Sequence, residues 1–261
     1  MPETSSDHTE LVQKILSGAR WASLFRASAQ VFSWLSTLII VRFLTPEDYG
    51  LNSMLEAPLD LVMLFSTLGL DIALVQRQQI LQEEISNTFG FLLLLNLLLF
   101  LSFFFGGSLL ATYFNEPQLT LLSQVLAFIF LLIPFRVIPN ALLDRALKFR
   151  LKAKIELTAS ILTALTTLTL AYFGAGIWAL VIGFLVNRSS QAILLMIIQP
   201  WFITPKFHFS QTKKMIKFGS LLILSSFFTR ISDMSATIVA GPYLGTHFLG
   251  IYAIASSFAI L

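Results

Sequence analysis

LLLLNLLLFLSFFF, residues 92–105, decides the fold class. Only Asn96 and Ser102 interrupt a surface that is apolar on every side. A strand of a membrane β-barrel alternates apolar and polar residues over about ten positions, and this stretch does not. It suits an α-helix surrounded by hydrocarbon, which satisfies its own backbone hydrogen bonds where no water is available. Composition extends the reading to the whole chain. Of 261 residues, 56% are hydrophobic and 12% charged, and the mean hydropathy is +0.80. Soluble domains carry charge on about a quarter of their residues, so a soluble globular protein is excluded. The absence of cysteine removes disulfides, thiolate nucleophiles and cysteine metal sites, and His8, His208 and His247 are widely scattered. No metal and no cofactor is expected. A net charge of +3 offers a nucleic-acid partner no support.

A hydrocarbon core about 30 Å thick needs roughly 20 helical residues. Seven apolar runs of that scale cover residues 21–41, 51–70, 89–111, 119–138, 157–173, 177–198 and 218–240. An eighth begins near Phe248, and its 14 residues would rise only about 21 Å as helix. The expectation is a piece of a longer protein that stops within a span. Glu3, Asp7 and Glu10 stand where a signal peptide would carry basic residues, so the first span is expected to be retained. Leu11, Val12, Ile15 and Leu16 lie at helical spacing, as in a short amphipathic helix on the membrane surface. With the N-terminus cytoplasmic, twelve Lys and Arg fall in inner segments and Arg42 alone outside, as the positive-inside rule requires. The short outer loops leave no room for an outer domain, and the basic inner loops suit anionic lipid head groups.

Charged groups inside a span cost about 2.5 to 3.5 kcal/mol each on insertion scales, so each is a functional candidate. Arg26, Gln30, Ser33 and Thr37 share one stripe of the first span. Asn52, Glu56 and Asp60 stack at intervals of four in the second, and Asn187, Arg188 and Gln191 cluster in the sixth. Ser226, Arg230, Asp233 and Thr237 share a face of the seventh. At 1.5 Å per residue, Arg188 and Arg230 lie roughly 16 to 18 Å into the membrane. Glu56, Asp60 and Asp233 fall from mid-depth toward the outer side. A purely structural alternative pairs Arg230 with Asp233 along one helix, and Arg26 or Arg188 with Glu56 or Asp60. Pro58, Pro134 and Pro139 mark bending points. Phosphate-loop, HExxH and GxSxG patterns do not occur.

Five stretches in order, RFLTPEDYG (42–50), LGLDIALVQR (68–77), ALLDRALKFRLKAKIEL (141–157), AGIWALV (175–181) and LGTHFLGIYAIA (244–255), carry a family resemblance. The chain resembles the polysaccharide transport family of lipid-linked oligosaccharide flippases, within the multidrug, oligosaccharidyl-lipid and polysaccharide exporter superfamily. That resemblance implies an all-α polytopic membrane protein of two six-helix lobes. Residues 1–20 would form a cytoplasmic segment, 21–200 the first lobe, 201–217 a basic linker, and 218–261 the first two helices of a truncated second lobe. Pro242 and Asp71 depart from the family pattern, where a basic and a small residue are usual.

The resemblance implies a carrier, not an enzyme, in a bacterial inner membrane. It would move a polyprenyl-pyrophosphate-linked oligosaccharide from the inner to the outer leaflet by alternating access, for lipopolysaccharide or exopolysaccharide synthesis. Arg26, Gln30, Asn187, Arg188, Gln191 and Arg230 are the expected substrate contacts, because guanidinium forks suit phosphate and polar stripes replace sugar hydration. Glu56, Asp60 and Asp233 would carry a coupling proton or sodium ion, or drive release. Membrane lipids and a polysaccharide polymerase are the further expected partners. An ion-coupled drug exporter and a membrane glycan polymerase or transferase are the alternatives.

Overall fold

The computed structural model describes residues 5–77, 81–201, 204–207 and 212–259. The side chains of 5–20, 22, 212–225 and 257–259 lie outside the described set, and with them the expected amphipathic face of Leu11, Val12, Ile15 and Leu16. Among the described residues every regular element is helical: α1 (Ser5–Ile40), α2 (Pro46–Phe65), α3 (Leu70–Gln76), α4 (Gln82–Phe114), α5 (Gln118–Arg145), α6 (Phe149–Tyr172), α7 (Ile177–Ile198) and α8 (Thr212–Ala259). The protein is therefore a polytopic α-helical membrane protein, as the apolar runs require.

Five helical segments among the described residues are long and apolar enough to cross a membrane: α4, α5, α6, α7 and residues Ser226–Ser256 of α8. A sixth arises if α2 and α3, bent by 41°, count as one span. The expected first span lies in α1, where Arg26, Gln30 and several hydroxyl residues dilute the apolar surface. The expected second span, 51–70, is broken: α2 stops at Phe65, and the chain turns through Leu68 (φ 47°) and Gly69 (φ 66°) before α3. Residues 241–247 hold the kink at which two helices of α8 meet. Helical structure resumes around a single non-helical residue, Gly245 (φ 72°, ψ 177°).

Local sequence explains the ends of these helices. Thr45 caps α2 in a reciprocal box, its hydroxyl accepting from the Asp48 N–H while the Asp48 carboxylate accepts from the Thr45 N–H. Pro46 occupies the first turn, where its missing N–H is harmless. Thus the TPED of RFLTPEDYG is a helix start. Gly176 (φ 56°) precedes α7, and a Cβ there would press on the Asp48 carboxylate, so AGIW and TPED meet in space. Arg145, at the end of α5, donates to the Leu74, Val75 and Arg77 carbonyls and so closes the C-terminus of α3.

α4 and α5 pack along each other, α1 lies on α6, α6 on α7, α7 on α5, and α8 runs along α2. The main apolar core sits between α2, α4 and α5, where Met54, Leu55, Leu59, Leu92, Ile129 and Phe130 are fully buried. Asn96, the polar residue in the opening stretch, points into this core at 1% exposure. Its amide donates to the Ser66 carbonyl (2.8 Å) and to the Leu92 carbonyl (2.9 Å). The first bond satisfies a carbonyl at the α2–α3 break, the kind of backbone group that lipid cannot serve.

Candidate substrate-binding site

Polar residues converge where α1, α2, α6 and α7 fail to close on one another. They leave a cavity of about 270 Å³. From α1 come Ser33, Ser36 and Thr37; α2 contributes Asn52 and Glu56. Ser160, Thr163 and Thr167 of α6 face them, with Gly183, Phe184 and Asn187 of α7. Asn52 hydrogen-bonds Glu56 along one face of α2. Glu56 lies deep in the protein mass yet remains accessible, because it opens into this space. The hydroxyl-rich α6 crosses apolar surroundings by returning its hydroxyls to carbonyls four residues back, as Thr163 does to Ala159 (2.7 Å).

Toward the end where α5 and α7 finish and α6 begins lies a second, smaller cavity of about 160 Å³. Arg136 and Asn140 of α5, Lys152 and Glu156 of α6, and Gln191 of α7 line it. A chain of side-chain hydrogen bonds joins the two cavities. Arg136 donates to Gln191 (3.1 Å), Gln191 to Asn187 (2.9 Å), and Asn187 to Thr163 (3.0 Å).

The charged residues form two groups. In the first, Arg230 of α8 lies 3.5 Å from Asp60 of α2, and Asp60 also feels the positive charge of Arg188 on α7. Arg188 stacks its guanidinium over Phe184 at 5.2 Å, and its buried Nε has no hydrogen-bond partner. Arg230 is thus the ion-pair partner of Asp60 across helices, and Arg188 is a second cation whose charge reaches it. In the second group Arg136 faces Asp71 and Glu156 as counter-charges, and Glu156 reaches Arg26 at 3.4 Å.

The expected site residues divide accordingly. Glu56 and Asn187 line the large cavity, Gln191 the small one, and Arg188, Arg230 and Asp60 meet between α2, α7 and α8. Arg26 lies away from them, beside Glu156. Gln30 is exposed on α1 and lines neither cavity. Asp233 is exposed and forms no ion pair among the described residues. The intrahelical pair Arg230–Asp233 is thus replaced by Arg230–Asp60, and Arg26 pairs with neither Glu56 nor Asp60: partners across helices come closer than the next turn of the same helix. Arg136, Asn140, Lys152 and Glu156 are not among the site residues expected from the sequence. Their signal was there, since Arg136 and Asn140, and Lys152 and Glu156, are each four residues apart. The stripe Ser160, Thr163, Thr167 has the same helical spacing.

Comparison with known proteins follows the same lines. A family described as polysaccharide biosynthesis protein matches residues 39–261. The lipopolysaccharide biosynthesis protein WzxC of Escherichia coli is 23% identical over 253 residues, 96% of this chain and 51% of that protein. The teichuronic acid biosynthesis protein TuaB of Bacillus subtilis is 23% identical over 247 residues, 94% of this chain and 51% of that protein. The succinoglycan biosynthesis transport protein ExoT of Rhizobium meliloti is 26% identical over 244 residues, 92% and 48% of the two chains. The chain spans about half the length of the curated relatives it matches. No solved structure matches it.

Proposed function

This chain belongs to the polysaccharide biosynthesis protein family, and from that premise we propose that it is part of a flippase for lipid-linked glycan. The full protein would carry a polyprenyl-pyrophosphate-linked oligosaccharide from the inner to the outer leaflet of a bacterial inner membrane, N-terminus cytoplasmic. The observation that carries the reading is a cavity lined by hydroxyls and amides whose lining ring Phe184 carries the Arg188 guanidinium over it, together with the Arg230–Asp60 pair. Sugar and pyrophosphate cannot enter hydrocarbon unaided, because each buried polar group needs a partner. Guanidinium groups offer paired donors to phosphate oxygens, and hydroxyls and amides stand in for the water around sugar.

Asp60 has a part in this scheme. Arg230 pairs with Asp60 at 3.5 Å, so a bound pyrophosphate would exchange with that carboxylate, which returns as the substrate leaves. This exchange keeps the arginine compensated at both ends of the cycle, which limits how tightly the pyrophosphate is retained. Glu56, open to the cavity, is the candidate for a coupling proton or sodium ion; Asp233, with no ion pair among the described residues, is the weaker candidate. Residues 21–200 act as one lobe and residues 218–261 open the second, linked by residues 201–217. α8 lies against α2, and added Cβ atoms at Gly50 and Gly250 would overlap the Thr246 and Pro46 carbonyls. Such close backbone approach makes this seam the natural pivot for alternating access. A transporter relationship also favours a carrier over a catalyst, and a polysaccharide polymerase would use the exported product. Names of relatives as transport and biosynthesis proteins support this reading.

The test is glycan-lipid crossing into the outer leaflet, measured with membrane protein level, in the full-length protein. Arg188→Lys and Arg230→Lys should impair transport in part, because charge survives and the fork does not; both Ala variants should impair it severely. Arg230→Ala with Asp60→Ala removes the ion pair without leaving an unpaired charge. If that double variant transports normally, and Arg188→Ala does too, pyrophosphate binding here is wrong and the charges are structural. Drug efflux without glycan-lipid movement would point instead to the exporter alternative.

A further inference from the structure

The two polar neighbourhoods differ in chemistry. The large cavity holds hydroxyls from α1 and α6, the amides of Asn52 and Asn187, one carboxylate, Glu56, and one aromatic ring, Phe184. Its lining contains no Lys, Arg or His. The arginines Arg188 and Arg230 lie outside that lining, gathered around Asp60.

We propose that this cavity binds one uncharged pyranose ring of the glycan and rejects uronic acids, leaving the pyrophosphate to the arginines. The inference rests on the flippase reading above and adds the chemical class of the sugar. Neighbouring hydroxyls of a pyranose each donate and accept, so they match groups that do the same, and amides supply both functions from one side chain. A carboxylate such as Glu56 accepts from two adjacent sugar hydroxyls at once, through charge-assisted bonds. The Phe184 ring offers an apolar surface for the C–H face of the sugar. At about 270 Å³ the cavity lies just below the range of about 300–1,000 Å³ usual for small-molecule sites, so it suits a single ring and not an oligosaccharide. The same volume is far larger than a bare cation requires.

The exclusion follows from charge. A uronic acid would bring a carboxylate into a space whose lining, among the described residues, has no cationic side chain and where the Arg188 guanidinium is already stacked over the Phe184 ring; a buried charge without a partner is strongly disfavoured. An ionised Glu56 adds like-charge repulsion across a poorly hydrated gap. Neutral hexoses and N-acetylhexosamines meet neither obstacle.

The full-length protein, purified in detergent, is tested by saturation-transfer NMR with methyl β-glucopyranoside and methyl β-glucopyranosiduronate as matched probes. The neutral glycoside should bind at least about tenfold more tightly than the uronate. Glu56→Gln, close to isosteric, should narrow that ratio to about threefold or less. Phe184→Leu should weaken both probes without changing the ratio. The comparison within the unsubstituted protein needs no variant to fold. Equal or tighter binding of the uronate would overturn the proposal, as would a transport-competent protein that binds neither probe. Neutral-sugar binding by a protein that moves no lipid-linked glycan would instead uphold the cavity and sink the flippase reading.

Discussion

Asn96 in α4 and Asn187 in α7 both sit in long apolar helices, and their surroundings separate two regions of this molecule. On the α4–α5 side Asn96 is sealed among Leu and Phe and gives its amide to two backbone carbonyls. On the α6–α7 side Asn187 is half-buried, bonds only to the side chains of Thr163 and Gln191, and faces open space. A backbone carbonyl cannot leave, so the first amide is a fixed strut. Side-chain partners can rotate away toward a ligand, so the second is available for binding. The partner of an intramembrane polar group, more than its depth, tells structure from site.

The largest expected effect tests the closed side. Phe130 is fully buried against Phe103, so Phe130→Ala should destabilise the protein by about 3–5 kcal/mol, read as the midpoint of thermal unfolding in detergent. Asn96→Leu should follow at about 1–3 kcal/mol, because the Ser66 carbonyl at the α2–α3 break loses its donor. If Asn96→Leu were neutral, the strut description would fail. On the open side Asn187→Ala should shift stability by only about 0.5–1.5 kcal/mol. Glycan-lipid transport should fall by a larger factor than folded protein does. A stability loss matching that of Asn96→Leu would erase the contrast. Smallest is Arg26→Ala: with 55% and 35% exposure, the Arg26–Glu156 pair should contribute less than about 1 kcal/mol, checked by the same melting midpoint.

The seam between α2 and α8 gives a further way to sharpen the comparison, since it joins the first lobe to the start of the second. Three independent contacts mark it: Arg230 with Asp60, Phe227 with Phe65, and His247 with Glu47 at 2.6 Å. They run in opposite order along the two helices, so α8 is antiparallel to α2. None is visible in the sequence as a pair, because the partners are 162 to 200 positions apart. The positions themselves had stood out, in TPED and in the stretch around Gly245.

Much of the architecture was legible before any coordinates. Apolar runs of sufficient length must be helices in lipid, which identified α4, α5, α6 and α7; α7 matches its run end to end, while α4, α5 and α6 each extend 7 to 8 residues beyond theirs at one end. Helical spacing likewise grouped Asn52 with Glu56 and Asp60, and Asn187 with Gln191, because the repeat of 3.6 residues is a property of one helix alone. Where reading ran short was at breaks and across helices. The α2–α3 bend depends on Asn96 from another helix to satisfy its carbonyl, and apolarity alone does not reveal such a break.

What the sequence determined by itself was the solvent of the protein, its helical class and the faces on which polar groups lie, since hydropathy and periodicity act over a few turns of one chain segment. Only the tertiary structure decided the partners. It took Arg230 from Asp233 and set it against Asp60, linked Arg26 to Glu156, gave Arg136 the counter-charge of Asp71, and left Gln30 outside both cavities. Charge pairing depends on distance in space, and that distance is fixed by how helices far apart in sequence pack together.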